Sequence, residues 1–203
     1  MSEFILHIRE DHMHSYILFL LANSGMPTLL KAKPSNLICF QKKYITSHRG
    51  FYQLLEKEIR NFHCNYEVLY EDGQGVYILI YNAEMIQNVI HKYKKHSLLA
   101  GYKECNKIDE LDRNIAYLKV RYLDYKEGNM EFPHEIGLFL GYPLEDVESY
   151  IKNKGEDYLI CGIWKVYHNV DAAVRTFGKY NELKKKAFSL LFSGRELNEI
   201  LIA

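Results

Sequence analysis

The chain has no Cys-x-x-Cys pair, and its four cysteines, Cys39, Cys64, Cys105 and Cys161, are scattered singly. That spacing excludes a paired-thiol redox or zinc motif and fits reduced thiols in a cytosol better than a disulfide framework. An excess of either charge is missing too. Lys+Arg and Asp+Glu each number 26, so no global field draws the chain to nucleic acid or to an anionic lipid surface. Long apolar runs are absent: the longest, Tyr16 to Ala22, is far too short to cross a bilayer. The start, MSEFILHIRED, has a short apolar run with acidic neighbours, unlike a signal peptide. There is no P-loop, no G-x-G-x-x-G after a strand and no G-x-S-x-G, so the common nucleotide-binding and hydrolase signatures are excluded and no cofactor is indicated. Together these absences describe a cytoplasmic protein without membrane association.

What is present is a chain of 203 residues, 48% apolar and 26% charged, long enough to bury a real core, and rich in tyrosine, with 17. Tyrosine offers apolar area with a polar tip, which suits half-buried surfaces and the walls of ligand sites. Asp11 to Asn23 has the i, i+3, i+4, i+7 spacing of an amphipathic helix, which Ser24-Gly25 and Pro27 should stop. Asn36 to Gln41 reads as a short strand, and Thr46 or Ser47 can cap a helix to about His63. Tyr66 to Tyr70 and Val76 to Tyr81, joined by EDGQG, give the clearest hairpin signal. Asn82 can cap the next helix, through Tyr93. Lys107 to Lys126 reads as a long helix with Ile108, Leu111, Ile115, Leu118 and Tyr122 inward. Tyr158 to Tyr167 reads as one strand in which Gly162 marks a bulge or a close backbone approach. Asn169 then caps a last long helix to about Phe192, with Val174, Phe177, Leu183, Ala187 and Leu191 inward. The expected fold is α+β: a helix-rich single domain, residues 1–203, with a small, mostly antiparallel sheet and an internal helix-turn-helix-like helix pair.

That helix pair is the most distinctive stretch, Phe132 to Ile151, FPHEIGLFLGYPLEDVESYI. Pro133 fixes the start of a short helix and Gly141 ends it; Pro143 then suits the first turn of a second helix. Ile136, Gly137, Leu140, Val147 and Tyr150 fall at helix-turn-helix spacing, with Leu144, Val147, Tyr150 and Ile151 as the inner face of the second helix. Its opening charges argue against DNA: Glu145, Asp146 and Glu148 would repel phosphates where base-reading side chains ought to stand. His134-Glu135 is not a zincin motif, because the position four residues after His134 is Leu138. The pair reads either as an acid–base or ligand-holding pair in a cleft, or as an ordinary helix-start cap. His12-x-His14 and His63-Cys64 lack partners at ligand spacing, so no metal site is expected.

The segments FPHEIGLFLGYPLEDVESYIKNKG and GIWKVY, with MPTLLKAKPSNL and SGRELNEIL, resemble a family of cytosolic proteins from anaerobic clostridial bacteria known only as a domain of unknown function. The resemblance implies a bacterial, cytoplasmic, single-domain protein and no particular activity. The family pattern carries a cysteine before the Pro-Thr of its N-terminal loop; this chain has Gly25-Met26 before Pro27-Thr28, so the loop lacks that thiol.

Function tends to sit in loops and at the ends of elements. The leading expectation is therefore a small-molecule or cofactor pocket between the Pro27–Lys33 loop, the His134-Glu135 helix start and the Trp164–His168 strand end. Its residues would be Thr28, Lys31, Lys33, His134, Glu135, Tyr142, Trp164, Lys165 and Tyr167, with lysines for an anion and aromatic rings as flat walls. The alternative is a protein-interaction module that uses the acidic face of the 134–154 helix pair. Nucleic-acid binding ranks last.

Overall fold

Residues Gly75–Tyr81, GVYILIY, are apolar on both faces of the strand they form, and the sheet is built around them. The computed structural model describes residues 12–103 and 108–202; the start MSEFILHIRED, Cys105, Lys107 and the Ile108 side chain lie outside the described residues. The fold is α+β, and every strand pairing in it is antiparallel. Strands β1 (Ser35–Gln41), β2 (Asn65–Glu71) and β3 (Gly75–Tyr81) lie in the order β1-β3-β2. The β2–β3 turn closes because Asp72 Oδ1 accepts the backbone N–H groups of Gln74 at 2.8 Å and Gly75 at 2.9 Å.

Alternation sends Ile38, Phe40, Val76, Ile78 and Ile80 to one face of the sheet and Leu37, Leu79 and Tyr81 to the other. A register shift between Val68 and Tyr70 puts Leu69 and Tyr70 on the same side, so β2 also serves both cores. Helices α1 (His12–Leu20), α2 (Met26–Leu29) and α3 (His48–Arg60) cover the first face. Helices α4 (Ala83–Tyr93), α5 (Ile108–Lys126) and α6 (Ile136–Phe139) cover the second. The α5 stripe is buried as its spacing predicts, at Leu111, Ile115, Leu118 and Tyr122. Ser47 and Asn82 cap α3 and α4, accepting from the N–H groups of Gly50 and Met85. Helices α7 (Leu144–Lys152) and α8 (Val170–Phe192) and the short hairpin of β4 (Ile160–Cys161) and β5 (Lys165–Val166) complete the chain, with a 3₁₀ turn at Leu197–Leu201. Among the described residues no helix is long and apolar enough to cross a membrane.

Four expectations need correction. Helix α1 does not stop at Ser24-Gly25. It passes through a π-helical stretch, Leu21–Gly25, in which the Met26 N–H reaches back to the Leu21 carbonyl, and resumes as α2. Pro27 is tolerated because it falls in the first turn of α2, where an N–H is not needed. The helix pair is present, with Gly141 at φ +79° between its helices and Gly137 so close to Val147 that a Cβ would lie 2.9 Å from Cγ2. Its second helix, however, is rotated from the expected face. Pro143 is the residue before the helix, Tyr150 and Ile151 are exposed, and Asp146 is buried.

Tyr158 to Tyr167 is not one strand but the β4–β5 hairpin, because the chain reverses at Gly162 and Ile163. The close approach expected at Gly162 is real: a Cβ there would fall 2.2 Å from Phe177 Cε2. On α8, Val174 is exposed, and the buried stripe is Ala173, Tyr180, Ala187, Leu190 and Leu191. The start of that helix packs against the hairpin through Phe177, whose ring meets Trp164 edge-on at 4.6 Å.

Candidate functional site

The segment that follows α2 is tied down along its length. The N–H groups of Ala32 and Lys33 both reach the Pro27 carbonyl, at 2.7 and 3.1 Å. The Asn82 N–H reaches the Pro34 carbonyl at 2.9 Å, and the buried Ser35 hydroxyl donates to the Phe139 carbonyl at 2.7 Å. Gly141 completes the clamp: its positive φ turns the chain against Pro34, where an alanine Cβ would lie 2.7 Å from Cδ.

This clamp carries Lys33 inside the protein, where it is 4% exposed. Its Nζ lies 5.7 Å from the centroid of the Tyr142 ring and 5.9 Å from that of Tyr180. Among the described residues no carboxylate pairs with it and no carbonyl accepts from it. Burial lowers its pKa to about 8. Nearby, the Tyr180 hydroxyl donates weakly to the Ala32 carbonyl at 3.4 Å, and burial pushes that phenol up to about 12.

Lys33 opens on a cavity of about 400 Å³ walled by the end of the π stretch, the start of β1, the turn after α6, the tip of the β4–β5 hairpin and one stripe of α8. That stripe is Phe177, Tyr180, Asn181 and Lys184, at i, i+3, i+4 and i+7. Asn23, Ser24 and Asn36 add polar groups, and no Asp or Glu lines the space. The Asn36 Nδ2 is committed to the Ser24 carbonyl at 2.7 Å, which fixes the side chain at the wall.

A second cavity, about 280 Å³, shares Leu140 and Tyr142 with the first and is more apolar. His134 lines it, its ring packed against Phe132 at 5.4 Å and Tyr150 at 5.7 Å. Burial holds the His134 pKa below its ordinary value, against the opposing charges of Glu135 and Glu131. Tyr142 stacks on Trp164 at 5.2 Å and 28°. Trp164 Nε1 donates to Asp146 Oδ2 at 2.8 Å, while Asp146 Oδ1 accepts the backbone N–H groups of Tyr167 at 2.8 Å and His168 at 2.9 Å. Asp146 therefore holds the hairpin to α7 with both oxygens.

The nine residues singled out from the sequence divide between these places. Lys33 and Tyr142 meet at the larger cavity; His134, Tyr142, Trp164 and Lys165 line the smaller one. Lys165 is engaged, its Nζ donating to the Gly155 carbonyl at 2.6 Å and lying 4.8 Å from the centroid of the Tyr158 ring. Glu135 leaves its neighbour His134 and enters the core, where Arg121 binds both its oxygens and the Tyr102 hydroxyl donates at 3.1 Å. Among the described residues, the wholly buried Thr28 has no partner for its Oγ1, and the buried Tyr167 has none for its hydroxyl. Lys31 is exposed, its backbone at φ +54°. These last four lie outside both cavities. Sequence reasoning missed Asn36, Asn181, Lys184 and the inward Asp146. The Phe177–Lys184 spacing was a usable signal; Asp146 gave none.

A model of DUF3793, a family of proteins of unknown function, matches residues 21–201. The chain belongs to that family. No curated protein and no solved structure matches it.

Proposed function

We propose that this protein, a bacterial cytoplasmic protein, binds a small anionic molecule with a flat portion in the cavity at Lys33. The observation that carries the reading is Lys33 itself, a buried ammonium with no counter-ion among the described residues, facing a space lined by no carboxylate. An unpaired buried charge is destabilising, and such groups in a cleft mark candidate functional sites. Lys184 adds a second cation to the wall, the asparagines add adaptable polar groups, and Tyr142, Phe177 and Tyr180 add aromatic surface. A cavity of about 400 Å³ suits a ligand of cofactor or metabolite size.

The alternative, an acidic docking face on the helix pair, is weakened. Asp146 is turned inside, and Glu148 pairs with His96 at 2.9 Å. The test is a panel of aromatic carboxylates and phosphates screened by thermal shift and calorimetry at pH 7. A ligand present at about 100 times its Kd adds about 2.7 kcal/mol to stability, a readily measured rise in Tm. Lys33→Met should abolish that rise while leaving the unliganded fold intact. A rise that survives Lys33→Met would place the ligand elsewhere and end this reading.

A further inference from the structure

We propose that Lys33 is a carbonyl-capturing amine, forming an imine with an aldehyde or ketone group on the anionic ligand. The inference rests on the cavity reading above and adds covalent chemistry to it. Its ground is the position of Lys33, the one lysine among the described residues that is almost wholly buried, at the wall of a cavity, in contrast to lysines tied to an acceptor. Lys165 donates to the Gly155 carbonyl, and Lys42, Lys119 and Lys185 pair with Glu71, Glu67 and Glu182. Each of those contacts directs the amine's hydrogens at an acceptor. Lys33 has no such acceptor among the described residues. It is enclosed on the protein side by the Tyr142 and Tyr180 rings and open on the cavity side. Lys184 on the same wall can hold the anionic end of the ligand while the carbonyl meets Lys33.

Nucleophilic attack needs the neutral amine, and desolvation is the usual way a protein supplies one. With its pKa lowered to about 8, roughly one Lys33 in ten is neutral at pH 7, some two orders of magnitude more than for an exposed lysine. The nitrogen lone pair forms the new C–N bond and the carbonyl π pair moves to oxygen. Both amine hydrogens then leave with that oxygen as water, giving a neutral imine; a solvent proton converts it to the iminium. No oxidant or reductant is required.

The full-length protein is incubated with pyridoxal 5′-phosphate, a flat anionic aldehyde, and in parallel with pyridoxine 5′-phosphate, which has the same shape and charge but an alcohol in place of the aldehyde. Binding is measured by calorimetry, and the imine is fixed with sodium borohydride and mapped by peptide mass spectrometry. The expected result is that both compounds bind, and that the aldehyde alone leaves one reduced adduct per chain, on Lys33. The labelling rate should rise about tenfold per pH unit up to about pH 8 and then level off. Lys33→Arg, checked by its melting curve, should leave no adduct at position 33 and still bind the alcohol, because its charge is kept and its nucleophile lost; if the arginine variant does not fold, Lys33→Met should lose the adduct and, with the charge gone, the binding of the alcohol as well. If both compounds bind and no adduct forms at Lys33, or if labelling spreads over exposed lysines and persists in the variant, the imine is refuted and the anion-binding reading stands. If neither compound binds, both are overturned.

Discussion

Asp146 and Lys33 line the two cavities that share Tyr142, and both are almost completely buried. Asp146 has three donors on its two oxygens, and its role is complete within the fold, fastening the β4–β5 hairpin to α7. Lys33 has, among the described residues, only the faces of two tyrosine rings. The contrast separates two reasons for burying a charge. One is explained by what surrounds it, and the other by what is absent from its surroundings. The Glu135–Arg121 pair belongs with Asp146, which is why a residue that reads as half of an acid–base pair proves to be part of the core.

The largest effect should come from breaking the satisfied side. Asp146→Ala leaves three donors without their acceptor, two of them backbone amides, and should lower stability by roughly 4 kcal/mol in chemical denaturation. A loss under about 1 kcal/mol would show that the hairpin does not depend on that carboxylate.

The unsatisfied side should respond in the opposite direction. Lys33→Met removes a desolvated charge and should raise stability at pH 7, by up to roughly 3 kcal/mol. The pH dependence carries the sign. The folded-state pKa, about 8, lies below the unfolded one, so the full penalty applies below about pH 8, where both states are protonated. Between about pH 8 and the unfolded value near 10.4 the unfolded chain binds more protons, and the wild type gains stability as pH rises. Comparing urea midpoints of wild type and variant across that window should show the difference closing. A difference that is flat with pH would mean that Lys33 is not desolvated in the folded state.

A smaller effect sharpens the link between fold and cavity. Gly141→Ala strains a residue at φ +79° and crowds Pro34, and should cost about 1–2 kcal/mol. Because Pro34 follows Lys33 directly, the same variant should also weaken ligand binding. Calorimetry that finds unchanged affinity would show that the clamp and the cavity are independent.

The local parts of this arrangement were legible in the sequence. Asp72 in EDGQG, the caps at Ser47, Asn82 and Asn169, and the α5 stripe each act within a few residues, so spacing alone reveals them. Lys33 and Tyr142 were also reached from the sequence, through their place in loops beside prolines and glycines. The parts that were not legible depend on distant partners. Asp146 reads as one of three helix-start charges, and only Trp164, 18 positions further along, turns it inward. The pairing of Glu135 with Arg121, 14 positions earlier, is equally invisible to helical periodicity. Lys33 reads as a solvated loop cation until Tyr180 is brought to it from α8.

The hydrogen bond from Tyr180 to Ala32 spans 148 positions of the chain, and that from Ser35 to Phe139 spans 104. Loops of that length close late, after the local helices and the β2–β3 hairpin have formed. The space beside Lys33 is walled by residues as far apart as Asn23 and Lys184, so it is complete only once α8 is in place. A ligand bound there would bridge segments distant in the chain and stabilise the folded molecule by mass action.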